Sequence, residues 1–198
     1  MRELGPAAER DMVLAFLQVE IDSARFGQTY ATILSNSGLQ RSSIIDNPDM
    51  QSEWEDSLRI KLLQAVRGYR SDTFLFQGFP QDVRWRKIEI EPDDFGKLKY
   101  ANYETWVQLS GGSRLVVDGA KNIENVVVED ANRNITAVVD SLRCGKRYPP
   151  LIAVKSEDGF LVLVEGHTRA TAYVLAQIAE PVQVIVASSQ KIKNWSFY

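Results

Sequence analysis

The pattern of apolar and polar positions changes character partway along the chain. From about residue 7 to residue 70 the apolar residues recur at helical spacing. Beyond about residue 80, short apolar runs and strict alternation take over. Met12, Leu14, Ala15, Leu17, Val19, Ile21, Ala24 and Phe26 form an imperfect helical stripe and predict a helix over Ala7 to Leu34, which Gly27 either breaks or interrupts at some cost. Leu34-Ser35-Asn36-Ser37-Gly38 is a stop signal, and Ser42 to Asp49 reads as a loop. Trp54, Leu58, Leu62, Ala65 and Val66 predict a second helix over Asp49 to Tyr69, capped by Asp46 or Asp49. Glu55 and Arg59 stand four apart on it, an acidic-to-basic order worth a few tenths of a kcal/mol. Arg59, Lys61, Arg67 and Arg70 make this region basic, and the plain expectation is a solvated face.

Phe74-Leu75-Phe76-Gln77-Gly78-Phe79-Pro80 is dense in aromatics, which suggests core packing. Gly78 and Pro80 forbid a continuous helix or central strand there. Arg84 to Ile90 alternates and predicts a strand. Pro92 opens a helical turn, Tyr103 to Leu109 reads as a short helix, and Lys121 to Ile123 closes another. Asn134 to Arg143 carries Ile135, Val138, Val139 and Leu142 on one face, with Gly145 as its stop. Phe160 to Val164 is a buried strand after the turn at Glu157-Asp158-Gly159. A helix follows over Ala170 to Ala176, then a strand over Val182 to Val186. The polar tail, Ser188 to Trp195, is expected to fold over a pocket or meet a partner. The fold class is therefore α+β. A helical N-terminal region over residues 1–80, an extension or a lobe, precedes a mixed-sheet domain with flanking helices over 81–198.

Composition narrows the function classes. The chain has 198 residues, 44% apolar and 25% charged, the proportions of an ordinary globular protein. A net charge of −3 weighs against a protein dedicated to wrapping nucleic acid. No stretch approaches the 18 apolar residues of a membrane span, and the N-terminus lacks a signal-peptide core. One cysteine and one histidine exclude an intrachain disulfide and a soft-ligand metal cluster. These features predict a cytoplasmic protein without a transition-metal site. Magnesium held between carboxylates and phosphates stays open.

The candidate chemistry gathers in Val164-Glu165-Gly166-His167-Thr168-Arg169-Ala170-Thr171. A strand that turns through glycine into a helix aims several free backbone N–H groups at one spot, and the helix dipole adds to them. Arg169 contributes a guanidinium suited to phosphate or carboxylate, and Thr168 and Thr171 contribute hydroxyls. His167, the sole histidine, and Glu165 are the candidates for a base. An ordinary structural turn is the competing reading. Ser110-Gly111-Gly112-Ser113-Arg114 is a second candidate: its glycines allow close approach to a ligand, and Ser113 and Arg114 offer donors. Asp118 is a second-rank candidate for magnesium.

Pro149 to Ala187 resembles the core of the ParB/sulfiredoxin superfamily. Pro149-Pro150-Leu151-Ile152-Ala153-Val154 is similar to the family's first core strand, Ser156 to Gly159 to its hairpin turn, and Gly166 to Arg169 to its G-x-x-R signature. The resemblance implies a nucleotide, ATP or ADP or CTP, held by its phosphates at Gly166 to Arg169. It also implies that Arg114 faces Arg169 across one pocket. Sulfiredoxins place a cysteine where His167 stands, and segregation proteins carry a DNA-binding domain after the motif. Glu165-Gly166-His167-Thr168-Arg169 is most similar to the free-serine-kinase branch, with Thr168 in place of a second histidine. Three readings follow. The first is a nucleotide-binding phosphotransferase or hydrolase. The second is a non-catalytic switch whose N-terminal helices hold a protein partner. The third, nucleic-acid processing, is disfavoured by the acidic charge.

Overall fold

Both faces of the central strands are buried, and this explains their nearly continuous apolar runs. The computed structural model describes residues 1–198, the side chain of Glu129 excepted. The elements run β1 (Arg2–Pro6), α1 (Glu9–Glu20), α2 (Gly27–Asn36), α3 (Glu53–Arg67), β2 (Arg84–Ile90), β3 (Leu98–Lys99) and α4 (Glu104–Leu109). They continue α5 (Val116–Asn122), α6 (Glu129–Arg143), β4 (Leu151–Lys155), β5 (Leu161–Glu165), α7 (His167–Leu175) and β6 (Val182–Ser188). The strands form one mixed sheet in the order β1-β2-β6-β4-β5-β3. β4 is antiparallel to β5 and parallel to β6, with Ile152 opposite Glu165 and Ile185.

Side chains alternate across this sheet and recruit two helical layers. Ile152, Val154, Val162, Val164, Ile185 and Ala187 face α1, α2 and α3. Leu151, Ala153, Leu161, Leu163, Val184 and Val186 face α7, through Ala170 and Tyr173. α6 packs outside α7, with Ile135 and Val139 against Ala172. The expected boundary at residue 80 falls on Gly78 to Pro80, yet one apolar cluster runs from Met12 through Phe79 to Trp195.

Several expectations are corrected. The helix expected over Ala7 to Leu34 is two helices. α1 ends at Glu20, and the chain turns so tightly that a Cβ on Gly27 would meet the Ile21 carbonyl at 2.7 Å. The buried residues of α1 are Met12, Val13, Ala15, Phe16, Leu17 and Glu20, of which the expected stripe held Met12, Ala15 and Leu17. α3 is capped by Ser52, whose Oγ accepts the Glu55 N–H at 3.2 Å, and not by Asp46 or Asp49. Its end is Gly68 at φ 78°, a left-handed stop. Ser42 to Asp46 is one π turn that buries Ile44 and Ile45. β1 went unread because Gly5 and Pro6 hide it; pairing with β2, across a bulge, creates it.

The basic side chains of α3 do not form a solvated face. Arg59 is fully buried: its Nη1 donates to the Ile44 carbonyl and to Glu55, both at 3.0 Å, and its Nη2 to Asp56 at 2.6 Å. Arg67 turns inward toward Glu20, and Arg70 lies past the helix end and pairs with Glu9. Lys61 points outward as expected, and Arg70 is exposed although paired. Among the described residues no helix is long and apolar enough to cross a membrane.

The tail does not cover a pocket. Trp195 is buried in the shared core, and its indole N–H donates to the Leu75 carbonyl at 2.7 Å. Phe79 meets it edge-on at 5.7 Å, and Phe76 stands behind Phe79 at 5.2 Å. Phe74, by contrast, is exposed. Trp195→Ala removes a large buried ring and leaves a buried carbonyl unpaired, so it should cost about 3–5 kcal/mol in urea unfolding. A loss below about 1 kcal/mol would show that the tail is not part of the core.

Candidate functional site

β5 ends at Glu165 and α7 begins at His167, so the direction change falls on Gly166 alone. Its φ is 101°, and a Cβ there would stand 2.4 Å from the Leu151 side chain. Glycine is therefore required twice, for conformation and for space. The helix it starts begins about one turn earlier than expected, because Gly166 itself is the N-cap. That places the backbone N–H groups of His167, Thr168 and Arg169 in the first turn, where an α-helix gives them no internal acceptor.

Arg169 is buried and already partly engaged. Its Nη1 donates to the Pro149 carbonyl and reaches the Pro150 carbonyl at 3.4 Å, while its Nη2 pairs with Glu165. It therefore ties the entrance of β4 and the end of β5 to the start of α7. Its Nε–H has no partner. Glu165 is half-buried, with its Oε2 occupied by the Arg169 guanidinium.

His167 is buried within aromatic rings. Trp106 stacks on it at 5.2 Å and Tyr100 at 6.1 Å, and Tyr103 meets it edge-on. The Ala101 N–H donates to Nε2 at 3.2 Å, which assigns the ring proton to Nδ1. Burial, with Arg67, Arg114 and Arg169 nearby, pushes its pKa down to about 3. The imidazole is therefore neutral at ordinary pH, and its lone pair is already used. Thr171 is fully buried: it donates to the His167 carbonyl at 2.9 Å and shares a 2.6 Å hydrogen bond with the Tyr100 hydroxyl. It thus braces the helix from inside, while Thr168 is half-exposed beside the turn.

Arg114 does not face Arg169 across an open pocket. Its Nε donates to the Tyr100 carbonyl at 2.9 Å and its Nη1 to the Tyr198 carbonyl at 3.1 Å. Burial lowers its pKa. Ser113 serves its own turn, accepting from the Leu115 N–H at 3.1 Å and donating to the Ser110 carbonyl at 3.0 Å. Asp118 pairs with Lys121 on α5. Among the described residues no three His, Cys, Asp or Glu side chains gather as a metal-binding group.

Four buried side-chain N–H groups lack an acceptor among the described residues: those of Arg59 Nε, Arg67 Nε, Arg114 Nη2 and Arg169 Nε. Arg59 belongs to the α3 network. The other three, Arg67, Arg114 and Arg169, are the cations whose charge helps to lower the His167 pKa. Arg67 lies 3.2 Å from Glu20, but its Nε–H is not directed at that carboxylate. Arg67 and Glu20 were not expected in the site. Their signal was positional: Glu20 falls on the buried stripe of α1, and Arg67 lies four residues after buried Leu63.

A cleft of ≈ 880 Å³ is lined by Lys146, Tyr148, Pro149, Pro150 and Tyr173 among others, and by none of Arg67, Arg114 or the residues Glu165 to Arg169. Arg169 connects to its wall, because the carbonyls it clasps belong to Pro149 and Pro150. Compared with known proteins, the chain matches no protein-family model, no curated protein and no solved structure.

The histidine makes stability depend on pH. Its folded pKa, about 3, lies below the ordinary 6.5, so between those values the unfolded chain binds a proton that the folded chain refuses. Glu20, pushed up to about 7, acts in the opposite sense between 4.5 and 7. Comparing wild type with His167→Gln isolates the histidine. The stability advantage of wild type should shrink by on the order of 1 kcal/mol per pH unit from about pH 6 to pH 4. A constant difference across that range would mean that the ring is not held neutral.

Proposed function

We propose that the start of α7 is an anion site that holds the phosphates of a nucleotide, and that the fold is of the ParB/sulfiredoxin type. One observation carries the reading. Buried Arg169 and half-buried Arg67 and Arg114 each keep a buried N–H donor without an acceptor, and all three bear electrostatically on His167, the first residue of a helix whose own first N–H groups are free of internal partners. Buried donors without acceptors cost about 1–3 kcal/mol each, and a bound anion would satisfy them together with the helix N-terminus. The order of β4, hairpin, β5, α7 and β6 supports the family likeness.

The adjoining cleft favours a nucleotide over bare phosphate. Its volume lies within the range of small-ligand pockets, and its tyrosines and prolines offer flat surfaces for a base. Lys146 lies over the Tyr148 ring at 5.0 Å and adds a cation at the rim. Thr168, half-exposed at the turn, is placed to add a hydroxyl to the bound phosphate. Magnesium would enter with the phosphates, since the carboxylates nearby are already paired with arginine.

The state of the two candidate bases favours capture and response over turnover. His167 is neutral with its Nε2 lone pair occupied, and Glu165 is bound by Arg169. His167 then shapes the site by stacking, and Glu165 by holding Arg169. The second reading of the sequence, a nucleotide-responsive module, is therefore preferred to a phosphotransferase or hydrolase. The helices α1 to α3 contribute Arg67 to the site and would sense the ligand directly.

Inorganic phosphate, ADP, ATP and CTP should each raise the melting temperature of wild type by mass action. Arg67→Gln and Arg114→Gln should weaken that binding about tenfold or more, as expected for lost charge-assisted hydrogen bonds. Their ligand-free melting temperatures show separately whether the fold survives. Wild-type affinity in both variants would place the site elsewhere. A shift with nucleotides but not with phosphate would move the recognition to the cleft.

A further inference from the structure

Glu20 is the last residue of α1 and lies on its buried face, only 7% exposed. Three elements enclose its carboxylate. The Tyr30 hydroxyl of α2 donates to Oε2 at 2.9 Å. Arg67 of α3 stands 3.2 Å from Oε1 with its Nε–H turned away. Glu165, at the end of β5, adds a like charge. Arg25, in the connection from α1 to α2, is the other cation facing the group, and Tyr103 ahead of α4 feels both Arg67 and Glu20. The carboxylate is thus held by one phenol and one poorly aimed guanidinium, against burial and Glu165.

We infer that Glu20 is a positioning residue of the anion site, taking up one proton as the anion binds and acting on it through Arg67. The inference rests on the reading that an anion occupies the start of α7. An incoming dianion attracts the unspent Nε–H of Arg67 and adds negative charge near Glu20. Glu20 loses part of its counter-charge. Its carboxylate then accepts a proton from solvent, and one ligand and one proton bind together. A neutral carboxyl keeps the Tyr30 hydrogen bond and no longer competes for Arg67. Burial has already raised the Glu20 pKa to about 7, so the exchange falls near neutral pH. His167, pushed down to about 3, stays neutral and adds no proton in that range.

The test uses sulfate, which remains a dianion across the range, so that no proton of the probe confuses the count. Its dissociation constant should be measured on the full chain at several values between about pH 6 and pH 8, for wild type, Glu20→Gln and Tyr30→Phe. Wild-type affinity should fall with rising pH, by up to about tenfold per pH unit above the midpoint. Glu20→Gln should bind with a flat profile near the tight, low-pH limit. Tyr30→Phe removes a hydrogen bond to the charged form, so its midpoint should move upward; this variant stands in if Glu20→Gln does not fold. A flat wild-type profile, or a slope that persists in Glu20→Gln, overturns the role of Glu20 and leaves the anion site standing. Failure of sulfate to bind at any pH overturns both. An unchanged midpoint in Tyr30→Phe also contradicts the assignment.

Discussion

The architecture depends on one clamp. Arg169, one turn into α7, reaches back to the carbonyls of Pro149 and Pro150 and to Glu165. Those partners precede β4 and end β5, so a single guanidinium joins the two central strands to the helix that leaves them. Such a side chain is buried only because its charge is paired and its donors are mostly spent. Gly166 makes the reach short: any larger residue would press on Leu151 and on Arg169 itself. Once α7 is fixed in this way, Tyr173 and Ala170 meet the sheet, and α6 can close over Ala172.

The same clamp decides where unsatisfied polarity collects. The N-terminal helices cover one face of the sheet, and α7 covers the other. Arg67 comes from the first layer, Arg114 from the turn after α4, and Arg169 from the second layer. All three charges bear on His167, which Tyr100, Tyr103 and Trp106 enclose. Buried donors that water cannot reach are costly in a protein with no use for them. A ligand with several acceptor oxygens would remove that cost, and this is why a phosphate-like anion is proposed there. The neutral, stacked histidine then adds shape without adding charge.

Much of this organisation was legible along the chain, and what was missed has physical causes. The strands from Leu151 to Ser188 and the helix between them declared themselves through apolar runs, a glycine turn and periodicity. The cluster was half visible: Gly166, His167 and Arg169 stood out because a glycine turn into a helix exposes N–H groups. Glu20 and Arg67 did not, because their role depends on two helices that pack from the far side of the sheet. A charged residue on a buried stripe was the available sign, and on α1 the expected stripe ran on past the helix end at Glu20. Arg114 was expected to face Arg169 across one pocket, but its guanidinium donates to the Tyr100 and Tyr198 carbonyls, the second of them in the tail. Trp195 looked like a free polar-tail tryptophan because long-range packing against Leu75 and Phe79 leaves no local trace.

The central claim is that an anion sits on the first turn of α7. Its most direct test is a titration with inorganic phosphate, followed by the backbone amide resonances of the isotope-labelled protein. The account predicts that the amides of His167, Thr168 and Arg169 shift together and saturate along one binding curve, with the Arg67 side-chain Nε–H moving with them. Shifts confined to Lys146 and Tyr148 at the cleft, or no saturable shift at the α7 amides, would contradict it.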